Sequence, residues 1–194
     1  MPGSWDDWGR EPGPLPARSR GDLFFRGLRA VREILETIVP AIIIALLINL
    51  FMAQATRVYG QSMEPNLHTD QRLIVEKISY HLHPPRRGDV IVLKLPAEHA
   101  ELLIKRVIGL PGEVIEIKDG RVFINGRPLD EPYLNQYTRG LVAPQQVPPL
   151  HVFVLGDNRG FSNDSRSFGM VEFSDVVGRA WLSYWPLDAV GPVH

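Results

Sequence analysis

The sequence predicts a mainly β domain, antiparallel and partly closed, with long loops, behind one N-terminal transmembrane helix. Three observations carry this expectation. The chain of 194 residues holds 17 prolines and 17 glycines, too many for a helical bundle. Beyond residue 55 its apolar residues fall in short β-branched runs bounded by Gly and Pro. Before that point lies IVPAIIIALLINLFMA, residues 38–53, which has no charged side chain.

Residues 1–33 read as a flexible cytoplasmic tail. Its opening, MPGSWDDWGREPGPLPARSR, lacks periodic hydrophobicity and is rich in Pro and Gly. Residues 22–36 continue as a short amphipathic helix with arginines on the polar face. Residues 34–55 form the expected anchor, since a bilayer core takes about 17–25 helical residues. A buried core helix is the competing reading. Isoleucine and leucine surround the whole circumference, however, and a small domain has nowhere to bury such a rod. Arg18, Arg20, Arg26, Arg29 and Arg32 precede the run, and only Arg57 follows closely. This asymmetry leaves the N-terminus in the cytoplasm and residues 56–194 outside. Ala53-Gln54-Ala55 has the A-x-A form of a leader cleavage site, so a cleavable leader and self-cleavage after Ala55 both stay open. The charged region ahead of the run is longer than a leader carries, which favours an uncleaved anchor.

Strands are expected over 72–80, 88–95 and 102–110, then in a hairpin, EVIEIKDGRVFING, turning at Asp119-Gly120. Residues 127–150, rich in Pro, Gln and Tyr, read as an exposed excursion. HVFVLGD and VVGRAWLSYW supply two more strands.

Composition removes several chemistries. Net charge is −1 and mean hydropathy −0.06, so nothing points to nucleic acid as a partner. The absence of cysteine excludes thiol catalysis, Cys-ligated zinc and disulfides together. No metal or other cofactor is expected: His81-x-His83 precedes two prolines in a loop, with no carboxylate cluster nearby. Lysine occurs only at Lys77, Lys94, Lys105 and Lys118, so a catalytic lysine has few candidates.

Three clusters could carry chemistry. In Gly60-Gln61-Ser62-Met63-Glu64-Pro65, a serine on a Gly/Pro turn can offer both its hydroxyl and its backbone N–H to a carbonyl. Such serines are mostly structural. In Leu102–Gly109, alternation puts Lys105 on one face with Leu103 and Val107. Burial of that face would favour the neutral amine of a general base; a snorkelling lysine at a sheet edge is the plainer reading. The loop 156–169, GDNRGFSNDSRSFG, has enough mutually satisfiable polar groups to be a buried scaffold under a site.

These clusters, in this order behind one apolar helix, resemble the signal peptidase I family. GQSMEPNL is similar to its nucleophile box, RRGDVIVLK to its next strand, KRVIGLPGE to its general-base box and GDNRGFSNDSRSFG to its last box. The resemblance implies a serine endopeptidase with no cofactor, cutting signal peptides from exported preproteins after small residues. Ser62 is then the nucleophile and Lys105 the general base. The Ser62 N–H is an oxyanion donor, Ser162 orients the amine, and Asp157, Arg159, Asp164 and Arg166 brace the loop. Gly60 stands where some members carry a second, serine oxyanion donor, and Gly160-Phe161 replaces a more polar pair. Val58, Tyr59, Met63, Leu67 and Ile104 flank the site as candidates to line shallow substrate pockets, with plain core as the alternative. Trp181, Tyr184 and Trp185 are candidates for an interfacial contact, with packing inside the last strand as the plainer alternative. The bilayer and the protein translocation machinery are expected partners, and the plasma membrane the expected site, with a thylakoid or other internal membrane as the alternative.

Rival readings stay open at this stage. Any of His68, His81, His83, His99, His151 and His194 could complete a Ser-His-Asp triad. A self-cleaving Ser–Lys switch and a tethered, non-enzymatic β module are the others.

Overall fold

The computed structural model of the chain describes residues 20–47, 53–95 and 102–194. Of the tail expected over 1–33, residues 1–19 lie outside them, and residues 20–33 are helical. Two compact units result, Met1–Leu46 and Leu47–His194.

The described residues of the first unit lie in one helix, α1 (Arg20–Leu47), with Pro40 inside it. Ile34, Ile38, Ile42 and Leu46 along it are all roughly half exposed. Among the described residues no helix is long and apolar enough to cross a membrane. Residues 48–52, which would complete the expected span, lie outside the description. The far end of that span is not helical. Ala53–Arg57 forms a strand, because its backbone finds partners in a neighbour: Gln54 pairs with Val75 and Ala55 with Ile74. The A-x-A triplet is thus held in a ladder.

The second unit is mainly β and antiparallel. The larger sheet has eight strands. Along it run β1 (Ala53–Arg57), β2 (Arg72–Glu76), β11 (Val176–Trp185), β3 (Val90–Leu93), β4 (Leu103–Gly109), β9 (His151–Leu155) and β10 (Val171–Glu172), with β12 (Gly191–Pro192) on β11. The smaller sheet is β7 (Arg127–Pro128), β6 (Arg121–Ile124), β5 (Val114–Lys118) and β8 (Val142–Gln146) in that order. The β5–β6 hairpin turns where expected, with Lys118 opposite Arg121 and both Asp119 and Gly120 at positive φ.

Two expectations need correction. The strand expected over 72–80 ends at Glu76, and its last two residues open a short helix, α2 (Ser79–Leu82), where the Glu76 carboxylate accepts from the Ser79 N–H at 3.0 Å. His81 therefore sits on a helix and His83 caps its end. The excursion over 127–150 is partly sheet: β7 and β8 border the hairpin, and Val142 and Val147 enter its core.

Three apolar clusters hold this unit. One joins β2, β3, β4 and β11 to the turn around Ser62 through Val58, Met63 and Leu67. A second packs Ile91, Leu93 and Val107 with Val152 and Val154. The third seals the smaller sheet onto Ile108, Phe153 and Leu155. Strand β4, central among them, is buried from Ile104 to Gly109.

Candidate active site

A strand covered on both faces must accommodate every side chain it carries. Strand β4 carries two adjacent cations, Lys105 and Arg106, each about 2 % exposed. Alternation starts them on opposite sides of the strand, and their chemistry meets burial differently. Arg106 cannot lose its proton, so it needs a buried anion. Asp157 supplies it: Arg106 Nε donates to Oδ1 at 2.8 Å and Nη2 to Oδ2 at 2.6 Å. The Tyr133 ring covers the guanidinium at 4.1 Å.

Lys105 can lose its proton. Burial brings its amine down to about 8 from an ordinary 10.5, against the upward pull of the Asp164 and Asp157 carboxylates. Its Nζ lies 2.9 Å from Ser62 Oγ and also donates to the Ile104 carbonyl at 2.8 Å. In the neutral form the first contact reverses, and the serine hydroxyl donates to the amine lone pair.

The Ser62 turn is shaped by its own backbone. The Glu64 N–H donates to the Gln61 carbonyl, and the Asn66 and Leu67 N–H groups both donate to Met63. Buried Met63 and Leu67 fasten it to the sheet. The Ser62 carbonyl is taken by the Asn158 N–H at 3.0 Å, while the Ser62 N–H has no partner among the described residues. Gly60 has φ +77°, and a side chain there would meet open space. Its carbonyl accepts from the Thr69 hydroxyl at 2.9 Å.

The loop 156–169 is cross-braced. Asp164 is fully buried and accepts from the Gly156 N–H at 3.0 Å and from Arg166 Nε and Nη2 at 2.8 and 2.7 Å. Burial would raise its carboxyl; the Arg166 guanidinium and the Gly156 N–H outweigh that and hold it below its usual range. Asp164 also caps α3 (Ser165–Phe168). Arg166 Nη1 reaches the Arg159 and Arg139 carbonyls. Arg159 is buried against Glu131 and Thr138.

Gly156 lies where the loop passes close against the Ser62 turn. A Cβ there would fall 2.2 Å from Ser162 Oγ and 2.4 Å from the Ser62 carbonyl oxygen. Ser162, expected to orient the lysine amine, does not bond to it. Its Oγ is buried beside the Asp164 carboxylate without a hydrogen bond of normal geometry.

Of the residues expected to line substrate pockets, Val58, Met63, Leu67 and Ile104 are buried in one core cluster. They form a floor under the turn instead of free walls. Tyr59 alone is open, 73 % exposed, with the Arg57 guanidinium 5.7 Å from its ring. Trp181 and Trp185 are about half exposed. No described histidine bonds to Ser62: His68 lies 3.9 Å from Glu64, and His83 and His151 meet the Pro84 and Pro149 carbonyls. His99 lies outside the described residues. Among those described, no group of three or more His or carboxylate side chains could hold a metal.

Sequence reading missed Arg106, Asn66, Glu131 and Gly156. Only Arg106 left a signal: a second cation inside a continuous apolar run requires a buried carboxylate somewhere.

A family model described as signal peptidase, peptidase S26, matches residues 31–185. Signal peptidase I of Leptolyngbya laminosa is 44 % identical over 167 residues, covering 82 % of each chain. Probable signal peptidase I-2 of Synechocystis is 41 % identical, covering 82 % of this chain and 75 % of its own. Signal peptidase I of Bacillus caldolyticus is 40 % identical, covering 75 % of this chain and 87 % of its own. A long family match and relatives this similar over most of their length leave one assignment: the chain belongs to the signal peptidase I family, serine endopeptidases of group S26 that remove signal peptides from secreted preproteins.

Proposed function

We propose that Ser62 and Lys105 carry this activity as a nucleophile and general base. The observation that supports it is the 2.9 Å contact between Lys105 Nζ and Ser62 Oγ, with the amine buried and lowered to about 8. Neutral Lys105 takes the Ser62 proton as Oγ attacks the scissile carbonyl. The free Ser62 N–H stabilises the oxyanion. The ammonium so formed returns its proton to the leaving amine, and an acyl-enzyme remains. Lys105 then takes a proton from water, which attacks the ester and frees Ser62. The Asp157, Arg159, Asp164 and Arg166 network holds the loop against the nucleophile turn. Ser162 supports this through its position against Gly156, and Gly60 contributes backbone only.

The substrate is a preprotein bound as an extended strand beside Ser62. The buried floor of Val58, Met63, Leu67 and Ile104, with Tyr59 at its rim, favours small residues of the A-x-A type. The exposed apolar side chains of α1 support a single-pass anchor, here residues 34–52, with the N-terminus cytoplasmic and the peptidase unit outside. Cyanobacterial relatives favour a plasma or thylakoid membrane, where the translocation machinery delivers such substrates.

The test is cleavage of an A-x-A preprotein by the full chain in detergent. Ser62→Ala is expected to lose activity by about 10³-fold or more, with replacement of each histidine leaving it within about twofold. Cutting that survives in Ser62→Ala would reject the assignment.

A further inference from the structure

The buried ion pair beside the dyad has a third member that the reaction as written does not use. Asp157 Oδ2 accepts from Asn66 Nδ2 at 2.8 Å as well as from Arg106. The same nitrogen donates to the Tyr133 carbonyl at 3.0 Å. An amide nitrogen has two protons, and both are used. Turned over, the amide would set its oxygen against a carboxylate and a carbonyl with no proton between them, so the chemistry decides which way Asn66 points.

Both partners lead to the reaction centre. Asp157 is fully buried, neutralises the residue next to Lys105, and is followed by Asn158, whose N–H holds the Ser62 carbonyl. Tyr133 covers the Arg106 guanidinium, and its hydroxyl donates to Glu131, the partner of Arg159. Asn66 itself ends the nucleophile turn, its backbone N–H closing onto Met63 at 3.0 Å. We propose that Asn66 is a positioning residue for the cleavage reaction, tying the Ser62 turn through Asp157 and Tyr133 to the strand that carries Lys105. It touches no reacting atom, and its role rests on the Ser62–Lys105 reading.

Such a tie also has an electrostatic consequence. The charged groups facing Lys105 are Asp164, compensated by Arg166, and Asp157, compensated by Arg106 and by the Asn66 amide dipole. Removing that dipole leaves Asp157 less compensated and favours the ammonium. The acid limb of the cleavage profile then moves to higher pH. A carboxylate at position 66 opposes Asp157 directly and moves it further.

The experiment uses the full chain in detergent with an A-x-A preprotein, comparing wild type, Ser62→Ala, Asn66→Leu and Asn66→Asp at temperatures well below unfolding. Asn66→Leu is expected to lower kcat by about tenfold and leave KM within about twofold, as loss of alignment does. The acid limb rises in Asn66→Leu and more in Asn66→Asp. Unchanged kcat and limb in both variants overturn the inference, as does a loss that disappears once activity is scaled to the folded fraction. An inert Ser62→Ala beside wild-type-like Asn66 variants overturns this inference alone. A Ser62→Ala chain that still cuts overturns the dyad and this inference with it.

Discussion

Lys105→Met is expected to abolish cleavage while making the protein more stable near neutral pH. Activity should fall by about 10³-fold or more, because among the described residues Lys105 is the group hydrogen-bonded to the Ser62 hydroxyl. Stability should move the other way. The folded-state value of about 8 lies below the ordinary 10.5, so the native chain binds fewer protons than the unfolded chain between those limits. Stability therefore rises with pH through that window, and below it the buried ammonium carries its full cost. The difference between about 8 and 10.5 corresponds to on the order of 3 kcal/mol. Methionine fills nearly the same volume with no charge. Urea unfolding should find the variant more stable below pH 8, with the gain shrinking towards pH 10.5. A gain independent of pH, or none at all, would mean that Lys105 is not desolvated.

Gly156→Ala should damage catalysis almost as severely without touching a reacting group. The new methyl would meet Ser162 Oγ at 2.2 Å and the Ser62 carbonyl at 2.4 Å. A hydroxyl can rotate away, but the carbonyl is backbone and is pinned by the Asn158 N–H. Either the Ser62 turn or the loop must move. Misplacement of about 1 Å costs on the order of 10²-fold, which is the fall in kcat/KM expected here. Gly191→Ala, whose Cβ would meet nothing within 4 Å, is the control and should keep full activity. Equal activity in the two variants would mean that the loop yields freely and does not hold Ser62 in place.

How much of this the sequence disclosed follows from the range of each interaction. Local signals were readable. Asp119-Gly120 forms its turn from two adjacent residues, and the β-branched runs at β3, β4 and β9 became buried strands because their own side chains favour it. The environment of Lys105 was legible only as one of two readings: alternation allowed a buried face, a wet lysine at a sheet edge was the plainer reading, and only the covered position of β4 settles on burial.

Other features depend on residues far away in the chain. Strand β8, VAPQQ, has no apolar alternation; it is a strand because β5 offers a ladder, with Ile115 opposite Gln145 and Ile117 opposite Val142. The first three residues of the Ala53–Arg57 strand fall within the helix expected over 34–55, since the strand's pairing with β2 has no local sign. The Arg106–Asp157 and Arg159–Glu131 pairs join residues 51 and 28 positions apart. Ser162 illustrates the same limit. Its box places it in the correct loop, yet packing against Gly156 and Asp164, not the lysine amine, decides where its hydroxyl rests.

The most direct test of the account is the pH dependence of kcat/KM for the wild-type chain, which reports the free enzyme's essential base. On an A-x-A preprotein in detergent, activity should rise through a single acid limb centred near 8, the value that burial imposes on Lys105. A limb centred near 6.5, the ordinary range of histidine, would contradict a lysine base and return the assignment to a Ser-His mechanism.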